Sequence, residues 1–200
     1  MRRIVRQVTG AAAGLVCVTV SATELTVSVS DAAGRPLDDA VVALLPQGPV
    51  PPLPAGAQAV IEQRARQFQP RVTVVQTGTA VQFPNHDTVR HHVYSFSPIK
   101  SFEIKLYVGT PAQPVVFDKP GTAVLGCNIH DNMVAWVHVV DSPWFALTRE
   151  GVARIAQAPA GAYQLQVWHP RWPEGRAPHR QAVALGPRGE QVTVKLGVGP

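Results

Sequence analysis

The chain of 200 residues predicts an all-β fold. Pro and Gly are frequent, with 19 and 16 copies, while aromatic residues make up only 6%. That mix suits many short strands joined by turns rather than helical bundles. Several apolar runs alternate with polar residues at a period of two, as in Leu25, Val27 and Val29 or Tyr163, Leu165 and Val167. Turn chemistry separates these runs, for example Asp31-Ala32-Ala33-Gly34-Arg35-Pro36 and Lys119-Pro120-Gly121. The length leaves room for one or two small domains with a real core.

The N-terminus reads as an export signal. Met1-Arg2-Arg3-Ile4-Val5-Arg6 is a basic segment, Val8 to Val20 is mostly apolar, and Val20-Ser21-Ala22 offers small residues for cleavage. The apolar part is short for a membrane span. Arg2-Arg3 raises a twin-arginine route but lacks the flanking residues for it, and Val16 before Cys17 makes a poor lipoprotein cleavage site. Loss of residues 1–22 removes three arginines and no acids, lowering the formal charge from +5 to about +2. The basic balance therefore argues little for a nucleic-acid partner. Cys17 leaves as well, so Cys127 becomes the only cysteine and has no internal disulfide partner. In an oxidising compartment a lone thiol calls for burial or ligation.

Taken in order, Leu25 to Val29 and Ala40 to Leu45 read as strands around a turn, and Pro46 to Gly56 as a linker or long loop. Ala59 to Gln67 has helix-favouring composition. Arg71 to Val75, Thr79 to Phe83, His91 to Phe96, Phe102 to Val108 and Pro114 to Asp118 are strand candidates. Later candidates are Ala123 to Leu125, Val134 to Val140, Tyr163 to Trp168, Gln181 to Leu185 and Gln191 to Leu196.

The chemistry concentrates in Gly126-Cys127-Asn128-Ile129-His130-Asp131-Asn132-Met133. A thiol, an imidazole and a thioether follow one another in a tight loop between two strands. A copper electron-transfer site needs two imidazoles and one thiolate in a near-trigonal plane with a weak axial thioether. Cys127, His130 and Met133 supply three of these, and the second imidazole must come from a strand far back in sequence. His91 and His92 compete for that place, since side chains alternate faces along a strand and only one can point at a metal. His92, Tyr94 and Phe96 share the face that looks the more core-like. A structural zinc site is disfavoured, because it needs four closed ligands and is typically Cys-rich.

Between Phe68 and Val140 the chain resembles the cupredoxin family of small blue copper proteins. The residues carrying this are Phe68-x-Pro70, Gly78-x-x-Val81-x-Phe83-x-Asn85-x-Asp87, His91-His92-Val93-Tyr94-Ser95, Phe117-x-x-Pro120-Gly121 and Cys127-x-x-His130-x-x-Met133. The last spacing is similar to that of the amicyanin loop and shorter than that of plastocyanin. The resemblance implies a Greek-key β-sandwich holding one type 1 copper ion through His91, Cys127, His130 and Met133. It makes His91 the ligand, because the ligand histidine of the family commonly precedes a polar residue and then Val. It implies a strand-like entry over Ala59 to Phe68, His130 as the edge through which electrons pass, and an association with methylamine utilisation.

The flanks, Val27 to Leu45 and Phe145 to Leu165, resemble two halves of a carboxypeptidase regulatory-like (transthyretin-like) β-sandwich. The expected division is a signal peptide at 1–22, a first half-sandwich at 23–50, a linker at 51–56, the cupredoxin domain at 57–141 and a second half-sandwich at 142–200. The cupredoxin is then inserted in the second sandwich, or decorated by it. Trp168-His169-Pro170-Arg171-Trp172 is expected to pack in the core or between domains rather than to form a sugar- or partner-binding surface.

The function expected is a periplasmic carrier of single electrons between redox protein partners, with no nucleic acid and no stable membrane span in the mature chain. Copper capture or delivery, aided by His86, His92 and His138, is the second expectation, and a non-redox binding or adhesion module the third. His86 and His138 are otherwise expected at a surface or interface, with Asp131 and Asn132 shaping the loop, and Asn85 and Asp87 as turn residues. An enzyme is not expected, because neither an open metal position nor a general acid–base pair is evident.

Overall fold

The computed structural model describes residues 23–199. The expected leader, with Arg2, Arg3, Cys17 and Ala22, lies outside the described residues. Among the described residues all regular structure is strand, and no helix is long and apolar enough to cross a membrane. The N-terminal flank forms β1 (Glu24–Ser30) and β2 (Val41–Pro46). Next come β3 (Gln58–Val60), β4 (Glu62–Arg64), β5 (Gln67–Gln69), β6 (Val72–Gln76), β7 (Thr79–Gln82), β8 (His91–Ser97) and β9 (Lys100–Tyr107). β10 (Val115–Phe117), β11 (Gly121–Gly126) and β12 (Val134–Val140) complete the middle of the chain. The C-terminal flank supplies β13 (Phe145–Leu147), β14 (Val152–Ala156), β15 (Gly161–Trp168), β16 (His179–Leu185) and β17 (Glu190–Lys195).

The strands build two hydrophobic cores. One lies among the five-stranded sheet β6-β12-β11-β8-β9 and the three-stranded sheet β10-β7-β3, and contains Phe83, Val93, Phe117, Leu125, Val137 and Met133. The other is shared by both flanks. β1 sits between β14 and β17, β2 sits between β13 and β15, and Leu25, Val27, Leu44, Leu165 and Val194 meet in one cluster. The period-two pattern of β1 explains its role: Leu25, Val27 and Val29 are buried, and the polar residues between them are not.

Ala59 to Gln67, of helix-favouring composition, is instead β3 followed by the β4–β5 hairpin. β3 runs parallel to β7, so tertiary pairing overrides local propensity there. The hairpin turns at Ala65 and Arg66, with φ of 52° and 55°. Such values favour Asn-Gly, and here the Asp87 carboxylate holds the turn by accepting both backbone N–H groups at 2.7 and 2.8 Å.

β12 joins the two cores. Its Ala135, Val137 and Val139 enter the first core, while Trp136 packs against the second and His138 is only 1% exposed. The His138 ring stacks on Trp168 at 4.9 Å and 15°. Arg180 donates to Gln166 Oε1 at 2.9 and 3.1 Å, which turns the Gln166 amide N–H toward His138 Nε2 at 3.1 Å. The proton therefore sits on His138 Nδ1, within 2.8 Å of Thr122 Oγ1. His138 is thus an interface residue and not a surface one, and Trp168 and Trp172 are both buried in packing, as expected.

Burial pushes the His138 imidazole down to about 4. The folded state keeps it neutral where the unfolded chain, near 6.5, takes up a proton. Its contribution to stability is complete above pH 6.5 and declines as pH falls toward 4, by about 3 kcal/mol in all. Denaturant unfolding at pH 7.0 and 4.5 should show a smaller loss of stability in His138→Gln than in the wild type. An equal loss in both would contradict the neutral, interface-buried state.

Candidate metal centre

The site forms where β8 and the β11–β12 loop meet. β11 pairs with β8 through Gly126 and Tyr94, placing the Cys127 loop beside the start of β8. Gly126 is required by close approach: a Cβ there would stand 2.6 Å from Tyr94 Cζ. The loop is tightened by the Met133 N–H donating to the His130 carbonyl at 3.0 Å. Cys127 and Met133 are buried in the first core, and His130 is partly exposed.

One ligand atom each from His91, Cys127 and His130 lies within 4.8 Å of the others. Cys127 Sγ is 4.0 Å from His130 Nδ1, and the His91 and His130 rings meet edge to face at 5.0 Å. His91 is fully buried and its Nδ1 has no hydrogen-bond partner. A buried ring nitrogen without a partner is costly. Its Nε2 lies 2.8 Å from the Asp87 carboxylate. A carboxylate on one ring nitrogen fixes the proton there and leaves the other as a lone-pair donor, the arrangement typical of metal-bound imidazole.

Asp87 therefore does more than shape a turn. Burial pushes its carboxyl up, but hydrogen bonds from the Arg66 N–H, the His91 ring and the Ala65 N–H outweigh that and hold it below the usual range. Asn85 fixes Asp87 in turn, accepting the Asp87 N–H at 2.9 Å and donating to the Val89 and Tyr107 carbonyls. Below them, Gln63 donates to the Tyr107 hydroxyl, which donates to the Phe83 carbonyl at 2.5 Å. Burial pushes the Tyr107 phenol up to about 12, against the Gln63 hydrogen bond, and the nearby Cys127 thiol adds to the rise.

His92 stands apart from the cluster. Its Nε2 pairs with Glu103 at 2.9 Å and its ring lies 5.5 Å from that of Tyr94. The expectation that His92, Tyr94 and Phe96 form the core-like face is corrected. Val93 and Ser95 are buried beside His91, whereas Phe96 is 74% exposed. An irregularity in the β8–β9 register between His91 and Val93 buries both histidines, a feature that aromatic content alone does not reveal. The other histidines do not converge either. His86 pairs with Glu62 at 3.3 Å on the surface, and both ring nitrogens of His138 are engaged at the interface.

No family model matches the chain. No curated protein matches it either. Solved structures similar to it include a purple cupredoxin from Nitrosopumilus maritimus, at 24% identity over 42% of this chain and 99% of that one, with a TM-score of 0.36. Native pseudoazurin from Hyphomicrobium denitrificans is similar at 25% identity over 42% and 75%, with a TM-score of 0.37. The P52G mutant of amicyanin is similar at 19% identity over 52% and 100%, with a TM-score of 0.38. At TM-scores this low, strand order and side-chain geometry carry the functional conclusion and these likenesses do not.

Two substitutions test the geometry without metal. Gly126→Ala should cost about 1–3 kcal/mol through overpacking against Tyr94, with Tyr94→Ala in the same chain relieving part of it; chemical denaturation measures both. In Asp87→Ala, long-range ¹⁵N–¹H correlation of the metal-free protein should show His91 losing its single Nε2–H tautomer. A spectrum unchanged by that substitution would contradict the positioning role.

Proposed function

We propose that the chain is an exported cupredoxin-type protein that holds one copper ion and passes single electrons between redox partners in the periplasm. Two observations carry this: His91 Nδ1 is buried without a partner, and one ring nitrogen of His91 lies within 4.8 Å of ligand atoms on Cys127 and His130. His91, Cys127 and His130 would form the plane of a type 1 site, and the buried Met133 that closes the loop would be the weak axial donor. Copper bound there would supply one-electron exchange between its two oxidation states.

The chain's own residues prepare that role. Asp87 orients His91, the β8–β11 pairing fixes the loop against a sheet, and the first core excludes water from the thiol. A site held this rigidly resists rearrangement between oxidation states, which favours fast electron transfer. His130, the ligand nearest solvent, would be the edge facing a partner. The strand order supports a division into a cupredoxin-type sandwich at 57–141, with residues 23–50 and 142–200 as the halves of a regulatory-like sandwich. The loop spacing favours an amicyanin-like subtype associated with methylamine utilisation.

Loading the mature protein with Cu(II) should give an intense thiolate-to-copper charge-transfer band, absent in Cys127→Ser. His91→Ala should abolish it as well, and His92→Ala should leave it in place. A protein with only weak d–d absorption would overturn the electron-transfer function.

A further inference from the structure

A cleft of about 1070 Å³ opens between the two sandwiches, on the face of the five-stranded sheet opposite the metal centre. Its floor carries Tyr94, Phe96 and Trp136, and its wall is the β15–β16 connection with Trp172 and Arg176, followed by Arg180. The volume is at the upper end for small-molecule sites, and an aromatic lining with a few polar groups is their usual composition.

We propose that this cleft binds a small planar aromatic carboxylate. The apolar part follows from the floor. The Tyr94 and Phe96 rings lie 5.1 Å apart, and Phe96 is 74% exposed, which leaves apolar surface to cover. Aromatic faces favour a flat partner, in stacked or edge-to-face contact. In the wall, Pro170, Pro173 and Pro178 restrict the backbone of the connection facing the sheet. The Trp172 indole N–H donates to the Ala177 carbonyl at 3.0 Å, bracing that connection across its own turn.

The negative charge follows from the donors. Arg176 lies over the Trp172 ring at 4.9 Å, which leaves the guanidinium edge free to donate. Arg180 uses Nε and Nη2 on Gln166, and Nη1 has no partner among the described residues. Guanidinium groups match carboxylates in geometry and charge. At the deep end His138 is neutral and both its nitrogens are engaged, so it offers neither charge nor a free lone pair. Two carboxylates also border the cleft, Asp141, which accepts from Thr77 at 2.5 Å, and Glu174, so the site selects a carboxylate through its guanidinium donors and not through net charge.

The proposal is independent of copper and is tested on the metal-free mature protein by calorimetric titration with 2-naphthoate, 2-naphthalenemethanol and cyclohexanecarboxylate. The expected result is one saturable site for 2-naphthoate, at least tenfold tighter than for either analogue. Arg176→Gln, which leaves the Arg180–Gln166 pair intact, should weaken 2-naphthoate at least threefold and leave the neutral alcohol unchanged. Phe96→Ser, which alters an exposed side chain, should weaken both naphthalene ligands while far-ultraviolet circular dichroism stays unchanged. Absence of saturation, equal affinity for the alcohol or for the non-planar acid, or indifference to these substitutions would each overturn the proposal. Since no metal enters the measurement, a protein that fails to turn blue can still bind 2-naphthoate, and the reverse.

Discussion

Everything at the candidate centre depends on one close contact, the Tyr94 ring lying against the bare backbone of Gly126 where β8 meets β11. The register places Gly126 opposite Tyr94, so the residue that follows, Cys127, lies beside the start of β8, where His91 is. A side chain at 126 would have to displace the Tyr94 ring that covers this crossing. The loop to Met133 then has only a short span to close, and its own hydrogen bond from Met133 to His130 closes it. The β8–β11 pairing and the short loop together bring close two side chains, His91 and Cys127, that are 36 residues apart in sequence.

From that contact the ordering spreads outward through hydrogen bonds rather than apolar packing. Asn85 holds Asp87, and Asp87 holds His91 and the strained Ala65-Arg66 turn. One carboxylate thus serves two demands. A turn with two positive φ values has backbone N–H groups that point one way and need an acceptor, and a buried imidazole needs a fixed proton. Asp87 meets both, the turn at the exposed rim and the imidazole in the buried interior.

Much of this was legible in the sequence, for identifiable reasons. The alternation of Leu25, Val27 and Val29 and of Tyr163, Leu165 and Val167 revealed strands because each has one buried face. The spacing of Cys127, His130 and Met133 places three donor types in one loop, in which Cys127 and Met133 are buried and the Met133 N–H donates to the His130 carbonyl. The facing of β8 was not legible from aromatic content. His92, Tyr94 and Phe96 look like a core stripe, yet they lie on the outer side, where His92 pairs with Glu103 and the Tyr94 and Phe96 rings border the cleft. Asp87 read as a turn residue because nothing local reveals that its second oxygen reaches the residue four positions on. His138 gave no sign of its partners, since Trp168 and Gln166 arrive from the other sandwich.

The same sheet therefore does different work on its two faces, and β12 shows why they are compatible. Its inward residues, Ala135, Val137 and Val139, are small or β-branched and fix the sheet against the first core. Its outward residues, Trp136 and His138, meet the second sandwich through stacking and a hydrogen-bonded chain that runs from Thr122 to Arg180. A polar chain of this kind is stabilising only when every member is satisfied, so it specifies one relative placement of the sandwiches rather than a greasy contact that could slide. That placement sets the width of the cleft, and it reaches the metal side only through the sheet itself. Tyr94 belongs to both, with its ring on the cleft and its edge on Gly126.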